Sequence, residues 1–238
     1  MQPQDRLIFP LDVSSQDEAL RLVKMLKPYV GVFKIGLELF IAEGIKYFQT
    51  IAAESGADFF LDLKLQDIPA TIKRAQQNLF KGAKFTTVHC DQGPKSLQAM
   101  VDAIKNDVKV LGVTVLTSLG AEDLLRMGID KRYADPPGEL VKLRAQLARE
   151  AGCHGVVCAG TEAQAIKGKF GQDFIVVCPG IRPEWVEVPE DDQRRVMTPY
   201  EAIKAGADYI VIGRPIRLAS DPVEAAKKVV GEIEKAMK

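Results

Sequence analysis

Several charged side chains in this sequence stand where charge is expensive. Lys34 lies inside the apolar run VFKIGL. Asp62 and Lys64 lie inside FFLDLKLQDIP, and Asp67 follows in the same segment. A charge buried in an apolar strand is destabilising unless it is paired. On an extended strand Asp62 and Lys64, two residues apart, share a face. If Lys34 occupies the neighbouring strand, two lysines and two carboxylates converge. Such a cluster is either a structural ion-pair network or a catalytic array. The array is the stronger reading, because ammonium and carboxylate groups crowded at strand ends perturb one another's proton affinity.

A second group of residues suits an anion. Gly213-Arg214 follows the apolar run YIVI, and Arg182 stands in CPGIRP after another run. A guanidinium and nearby backbone N–H groups can hold a phosphate between them. The stretch 180–198 is long and polar, with Gln193 near its end, and could close over such an anion. Asp12 and His89 are further polar residues at the ends of apolar runs.

The elements that must position these residues are legible in the pattern. Eight short apolar runs cover 7–13, 32–37, 59–63, 86–89, 108–116, 155–159, 174–178 and 209–213. Most lack polar alternation, as strands covered on both faces of a parallel sheet do. The segments between them read as helices. SSQDEALRLVKMLKPY opens on a capping Ser, ESGAD and KAGAD put Gly just ahead of a strand, and the last segment opens on Asp221-Pro222. These are helix start and stop signals. Eight βα units in 238 residues fit an α/β fold of the closed (β/α)8 TIM-barrel type, as one domain over 1–238. An open doubly wound sheet is the alternative, but it usually carries a glycine-rich loop after its first strand, and no GxGxxG occurs. The one long interruption, 118–138, reads as a short helix followed by a loop. In a barrel, the C-terminal strand ends form the active site, which is where the charged residues fall.

Composition removes other classes. Lys plus Arg and Asp plus Glu each number 32, so no net basic charge argues for nucleic acid. No apolar stretch approaches 18 residues, and the N-terminus lacks a secretory pattern, so neither a membrane span nor export is expected. The four cysteines, Cys90, Cys153, Cys158 and Cys178, form no CxxC pair and read as buried free thiols. A cytoplasmic location is the resulting expectation. Two histidines cannot build a His-rich zinc site, and no metal is expected.

The run Asp62-Leu-Lys64-Leu-Gln66-Asp67-Ile68-Pro69-Ala-Thr71 matches in full the DxKxxDIPxT signature of the orotidine 5′-phosphate decarboxylase family. LDV at 11–13, FKIG at 33–36, CPGIRP at 178–183 and IGRPI at 212–216 extend the resemblance over essentially the whole chain. The resemblance implies release of CO2 from orotidine 5′-phosphate to give UMP, the last step of pyrimidine nucleotide synthesis, without a cofactor. It also implies a homodimer with sites at the interface. Lys34, Asp62, Lys64 and Asp67 would form the charged network, with Asp67 and Thr71 reaching into the partner's site. Asp12 would bind ribose hydroxyls. Arg182, Gln193, Gly213 and Arg214 would bind phosphate. Thr117 or Ser118 would contact the pyrimidine, Pro179 would line its pocket, and His89 would support the pocket floor. Lys64 would stabilise and then protonate a carbanion at C6. The alternatives are an Mg²⁺-dependent sugar-phosphate decarboxylase or aldolase on a related barrel, with Glu38 as an added ligand, and a non-catalytic nucleotide-binding barrel.

Overall fold

In the computed structural model, which describes residues 1–79, 82–104, 108–186 and 196–238, each of the eight apolar runs falls on a strand, and β3 and β4 extend beyond theirs. The strands are β1 (Leu7–Pro10), β2 (Val32–Ile35), β3 (Asp58–Leu65), β4 (Ala83–His89), β5 (Lys109–Val113), β6 (Gly155–Val157), β7 (Ile175–Cys178) and β8 (Tyr209–Val211). They pair in sequential order, all parallel, and β8 closes on β1. The expected (β/α)8 barrel is therefore the observed fold. Several strands are shorter than their apolar runs, because the last residues of a run turn out of the ladder to build the rim.

Helices α1 (Gln16–Leu26), α2 (Leu37–Ser55), α3 (Pro69–Leu79) and α4 (Pro94–Asp102) follow the first four strands. The fifth connection holds α5 (Ala121–Arg126), α6 (Lys131–Ala134) and α7 (Gly138–Glu150). The barrel is completed by α8 (Gly160–Phe170), α9 (Pro199–Lys204), α10 (Arg214–Arg217) and α11 (Pro222–Met237). The stretch 118–138 thus carries a second short helix where a loop was expected. Asp130 nucleates it by accepting a hydrogen bond from the Arg132 N–H. The other signals act as read. Ser15 caps α1 and Asp221 caps α11, accepting from the Val223 and Glu224 N–H groups. Gly56 and Gly206 take the positive φ that lets a helix end and turn toward its strand.

Period-two alternation sorts the strand side chains into two cores. Phe9, Phe33, Phe59, Leu61 and Val110 face the helices. Ile8, Val32, Phe60, Phe85, Leu111, Val177 and Tyr209 fill the barrel interior. Phe85 meets Phe60 and Tyr209 edge-on, at centroid distances of 5.8 and 5.0 Å, and these rings plug the barrel. Two residues further along, the inward positions become Pro10, Lys34, Asp62, Thr87, Val113 and Pro179. Apolar side chains below and polar ones above place the site on top of a packed floor.

The opposite end is held by charge. Lys167 of α8 pairs with Asp208 at 2.6 Å and donates to the Gln172 and Phe174 carbonyls. Asp208 also accepts from the Val176 N–H. All four cysteines are buried and free. Burial pushes the Cys90 and Cys153 thiols up, the latter to about 12, so neither is a reactive thiolate near neutral pH. Among the described residues no helix is long and apolar enough to cross a membrane.

Candidate active site

A cavity of about 440 Å³ opens at the C-terminal ends of the strands. Its charged wall comes from the first three βα units. Lys34 Nζ lies 3.4 Å from Asp12 Oδ1 and 3.7 Å from Asp62 Oδ2. Lys64 Nζ lies 2.8 Å from that same Asp62 oxygen. The charges therefore alternate in space as Asp12, Lys34, Asp62, Lys64. The register β1 to β2 to β3, with Pro10 beside Lys34 and Lys34 beside Phe60, brings them together. Two lysines and two carboxylates converge as expected, but within one chain the second carboxylate is Asp12 and not Asp67.

Asp62 is the centre of this wall. Its side chain is 10% exposed, against 12% for Lys34, 30% for Lys64 and 48% for Asp12. Burial alone would raise its proton affinity. The attraction of Lys34, then of Lys64, and hydrogen bonds from Lys64 and Thr87 outweigh burial and hold the carboxyl below the usual carboxylate value. Asp62 is thus a fixed negative charge on which two ammonium groups converge.

The other walls carry the anion-binding and base-contacting candidates. Arg182, Gly213 and Arg214 all line the cavity. Gly213 must be glycine, because a Cβ there would stand 2.7 Å from Pro10 Cγ. Thr117, Ser118 and Pro179 also line it. Thr117 is buried and Ser118 half-buried, so both hydroxyls border the space. The Ile181–Met197 bridge and the Arg182 N–H to Met197 carbonyl bond tie together the two stems of the loop after β7. Gln193 lies outside the described residues.

Asp67 and Thr71 stand away from this cavity. Asp67 is exposed, in a separate surface depression with Ile68, Pro69, Gln92 and Ser96. Thr71 follows at the first turn of α3. His89 is not among the residues lining the cavity, contrary to its expected place in the floor. It sits 4.0 Å from Asp91, and burial lowers its proton affinity, keeping the ring neutral at pH 7. Sequence reasoning missed three groups. Pro10 and Phe60 line the cavity floor, and the inward alternation of β1 and β3 would have found them. Arg217 lines it beside Arg214, and their spacing of three residues on one helical turn was the available signal. Thr87, a hydroxyl within the apolar strand β4, is hydrogen-bonded to Asp62 at 3.0 Å.

Residues 5–229 match the family described as orotidine 5′-phosphate decarboxylase / HUMPS. The chain belongs to this family. A relative from Desulfosudis oleivorans named orotidine 5′-phosphate decarboxylase is 46% identical, over 99% of this chain and 96% of its own length. One of the same name from Gloeothece citriformis is 43% identical, over 96% and 97%. The crystal structure of orotidine 5′-phosphate decarboxylase from Lactobacillus acidophilus superposes with a TM-score of 0.81 at 33% identity, covering 95% of this chain and 98% of that one. The corresponding Pyrococcus horikoshii structure gives 0.76 at 26% identity, over 96% and 99%.

Proposed function

We propose that the chain decarboxylates orotidine 5′-phosphate to UMP and CO2. The observation that carries this reading is a lysine–aspartate–lysine contact chain facing a wall of arginines across one cavity, in a member of this family. A nucleotide bridging the two walls would rest its phosphate on Arg214 and Arg182, with the Gly213 backbone beside it. Asp12 and Lys34 would meet the ribose hydroxyls, and Thr117 or Ser118 the pyrimidine edge near Pro179.

Loss of CO2 from C6 leaves an electron pair in an sp² orbital of the ring. An ammonium fixed beside C6 stabilises that charge in the transition state and then supplies the proton. Lys64 takes this role, since it is paired to Asp62 and is the more exposed of the two cavity lysines. Asp62 and Lys34 act with it by holding the field in place before substrate arrives. Asp67 and Thr71 would complete the site of a second copy in a homodimer. Their position outside their own chain's cavity, with Asp67 exposed, supports that arrangement. Glu38, the extra carboxylate that an Mg²⁺-dependent reading requires, instead accepts a hydrogen bond from Ser14 at 2.8 Å and is not among the cavity-lining residues.

The test is addition of orotidine 5′-phosphate to the purified protein in EDTA, following loss of substrate absorbance and identifying the product by chromatography. Conversion to UMP is the expected result. No UMP would overturn the reading, and activity that needs Mg²⁺ would favour the sugar-phosphate alternative.

A further inference from the structure

The pairing of β3 with β4 is irregular beside the charged wall. Leu61 stands opposite Thr86 and Leu65 opposite Val88, so β3 advances four residues while β4 advances two. Three residues, Asp62, Leu63 and Lys64, therefore face Thr87 alone. Such a bulge breaks the ladder and re-aims the side chains within it. Lys64 takes φ of 51°, and among the described residues it alone, apart from glycines, has a positive φ. A lysine in the left-handed region is held there only when its surroundings over-determine it.

Thr87 supplies what holds it. Its side chain is fully buried, and the Lys64 backbone N–H donates to its Oγ1 at 2.9 Å. Oγ1 in turn lies 3.0 Å from Asp62 Oδ1. The direction of this relay is forced. A backbone N–H can only donate, so Oγ1 accepts there, and its single proton goes to the carboxylate. Asp62 Oδ1 is then satisfied by Thr87, which leaves Oδ2 for the ammonium groups of Lys64 and Lys34.

We propose that Thr87 is a positioning residue for catalysis, whose hydroxyl replaces the strand hydrogen bond lost at the bulge and so locks Lys64 and Asp62 into one rigid pair. The inference rests on the decarboxylase reading. It assigns to β4 a part that its apolar sequence does not advertise. The titratable groups around Asp62 are the charged Lys34 from β2, Lys64 from its own strand and Asp12 beyond Lys34, and the neutral His89 from β4. Replacing Thr87 removes none of these four side chains and changes only the hydroxyl that holds Lys64 and Asp62 together.

Thr87→Val keeps the shape and removes the hydroxyl. The expected result is a loss in kcat of roughly 10- to 100-fold, the range spanned by one charge-assisted hydrogen bond. KM for orotidine 5′-phosphate changes by less than about threefold, because the phosphate contacts lie on other strands. The acid limb of the kcat–pH profile moves to higher pH, since Asp62 loses a donor to its ionised form. Thr87→Ser restores kcat and the acid limb. Wild-type kcat in Thr87→Val, or a Thr87→Ser enzyme as impaired as Thr87→Val, would overturn the role. If Thr87→Val fails to fold, Thr87→Cys, of similar size but a weak donor, is measured by the same criteria. An inactive wild type would sink the decarboxylase reading itself, whereas an active wild type with an indifferent Thr87→Val sinks only the part given to Thr87.

Discussion

At the scale of the residue, the site is a problem in placing four charges. Asp12, Lys34, Asp62 and Lys64 alternate in sign over contacts of 2.8–3.7 Å, so each is stabilised by the next and none needs a mobile counter-ion. If Lys64 is the proton donor, Lys64→Ala keeps UMP binding within about tenfold while kcat falls by at least about 10²–10⁴-fold, the usual range for a lost general acid. Titration calorimetry with UMP beside steady-state kinetics checks both halves, and normal turnover would remove the assignment. Asp62 also sets a pH dependence of stability. Its folded-state proton affinity lies below the unfolded value of 3.8, so its stabilisation is fully present above pH 3.8 and is lost as pH falls through the lower folded value. Tm should therefore fall more steeply with pH below 3.8 in the wild type than in Asp62→Asn, as read by acid-range calorimetry. The alternation of Asp62 and Lys64 along one strand was legible, because two-residue spacing is a local property. The hydrogen bonds of Thr87 were not, since they depend on a bulge between strands that no local pattern records.

At the scale of the element, the two ends of the barrel divide their labour. The C-terminal ends carry the charged wall, and the N-terminal end carries the buried Lys167, paired with the half-buried Asp208 and two carbonyls. Removing Lys167 strands Asp208, which is a quarter exposed and keeps the Val176 N–H, so the loss falls below that of a fully buried pair, to about 1–3 kcal/mol. Lys167→Ala should therefore lower Tm by roughly 2–12 °C for a domain of this size. Its kcat at 25 °C should match the wild type, because Lys167 borders no part of the cavity. Calorimetry with a parallel rate assay separates these outcomes, and a large drop in kcat per folded molecule would contradict the division. Lys167 lies in GTEAQAIKGKF, where its spacing marks only an amphipathic helix. Its partner, Asp208, comes from just before β8, and only the packing of α8 under the barrel joins them.

At the scale of the whole molecule, Asp67 and Thr71 stand outside the cavity of their own chain. The loop that bears Asp67 also exposes Ile68, and α2 exposes Leu37 and Ile41, all more than half accessible. If the sites are shared across a two-fold dimer, Lys64→Ala and Asp67→Ala chains, each inactive alone, should complement when mixed. In a mixed dimer one site receives both defects and the other neither. Full exchange makes about half of the dimers mixed, so about a quarter of all sites recover. Activity after co-refolding checks this, and no recovery would place Asp67 in its own chain's site or outside catalysis.

The sequence by itself determined the barrel and the strand ends at which chemistry would occur. Apolar runs and helix caps are local, and eight repetitions leave few ways to bury them. It also determined Lys34, Asp62, Lys64, Arg182 and Arg214 as the cavity's charged candidates, since charge beside an apolar run must be paired or used. Tertiary structure alone decided which groups touch. Barrel closure set Asp12 against Lys34, kept Asp67 and His89 off the cavity, and turned Arg217 toward it. The β3–β4 bulge put Thr87 under the pair. Register across strands is a property of the closed sheet, fixed by how side chains of distant segments fill one interior, and spacing along any single segment does not contain it.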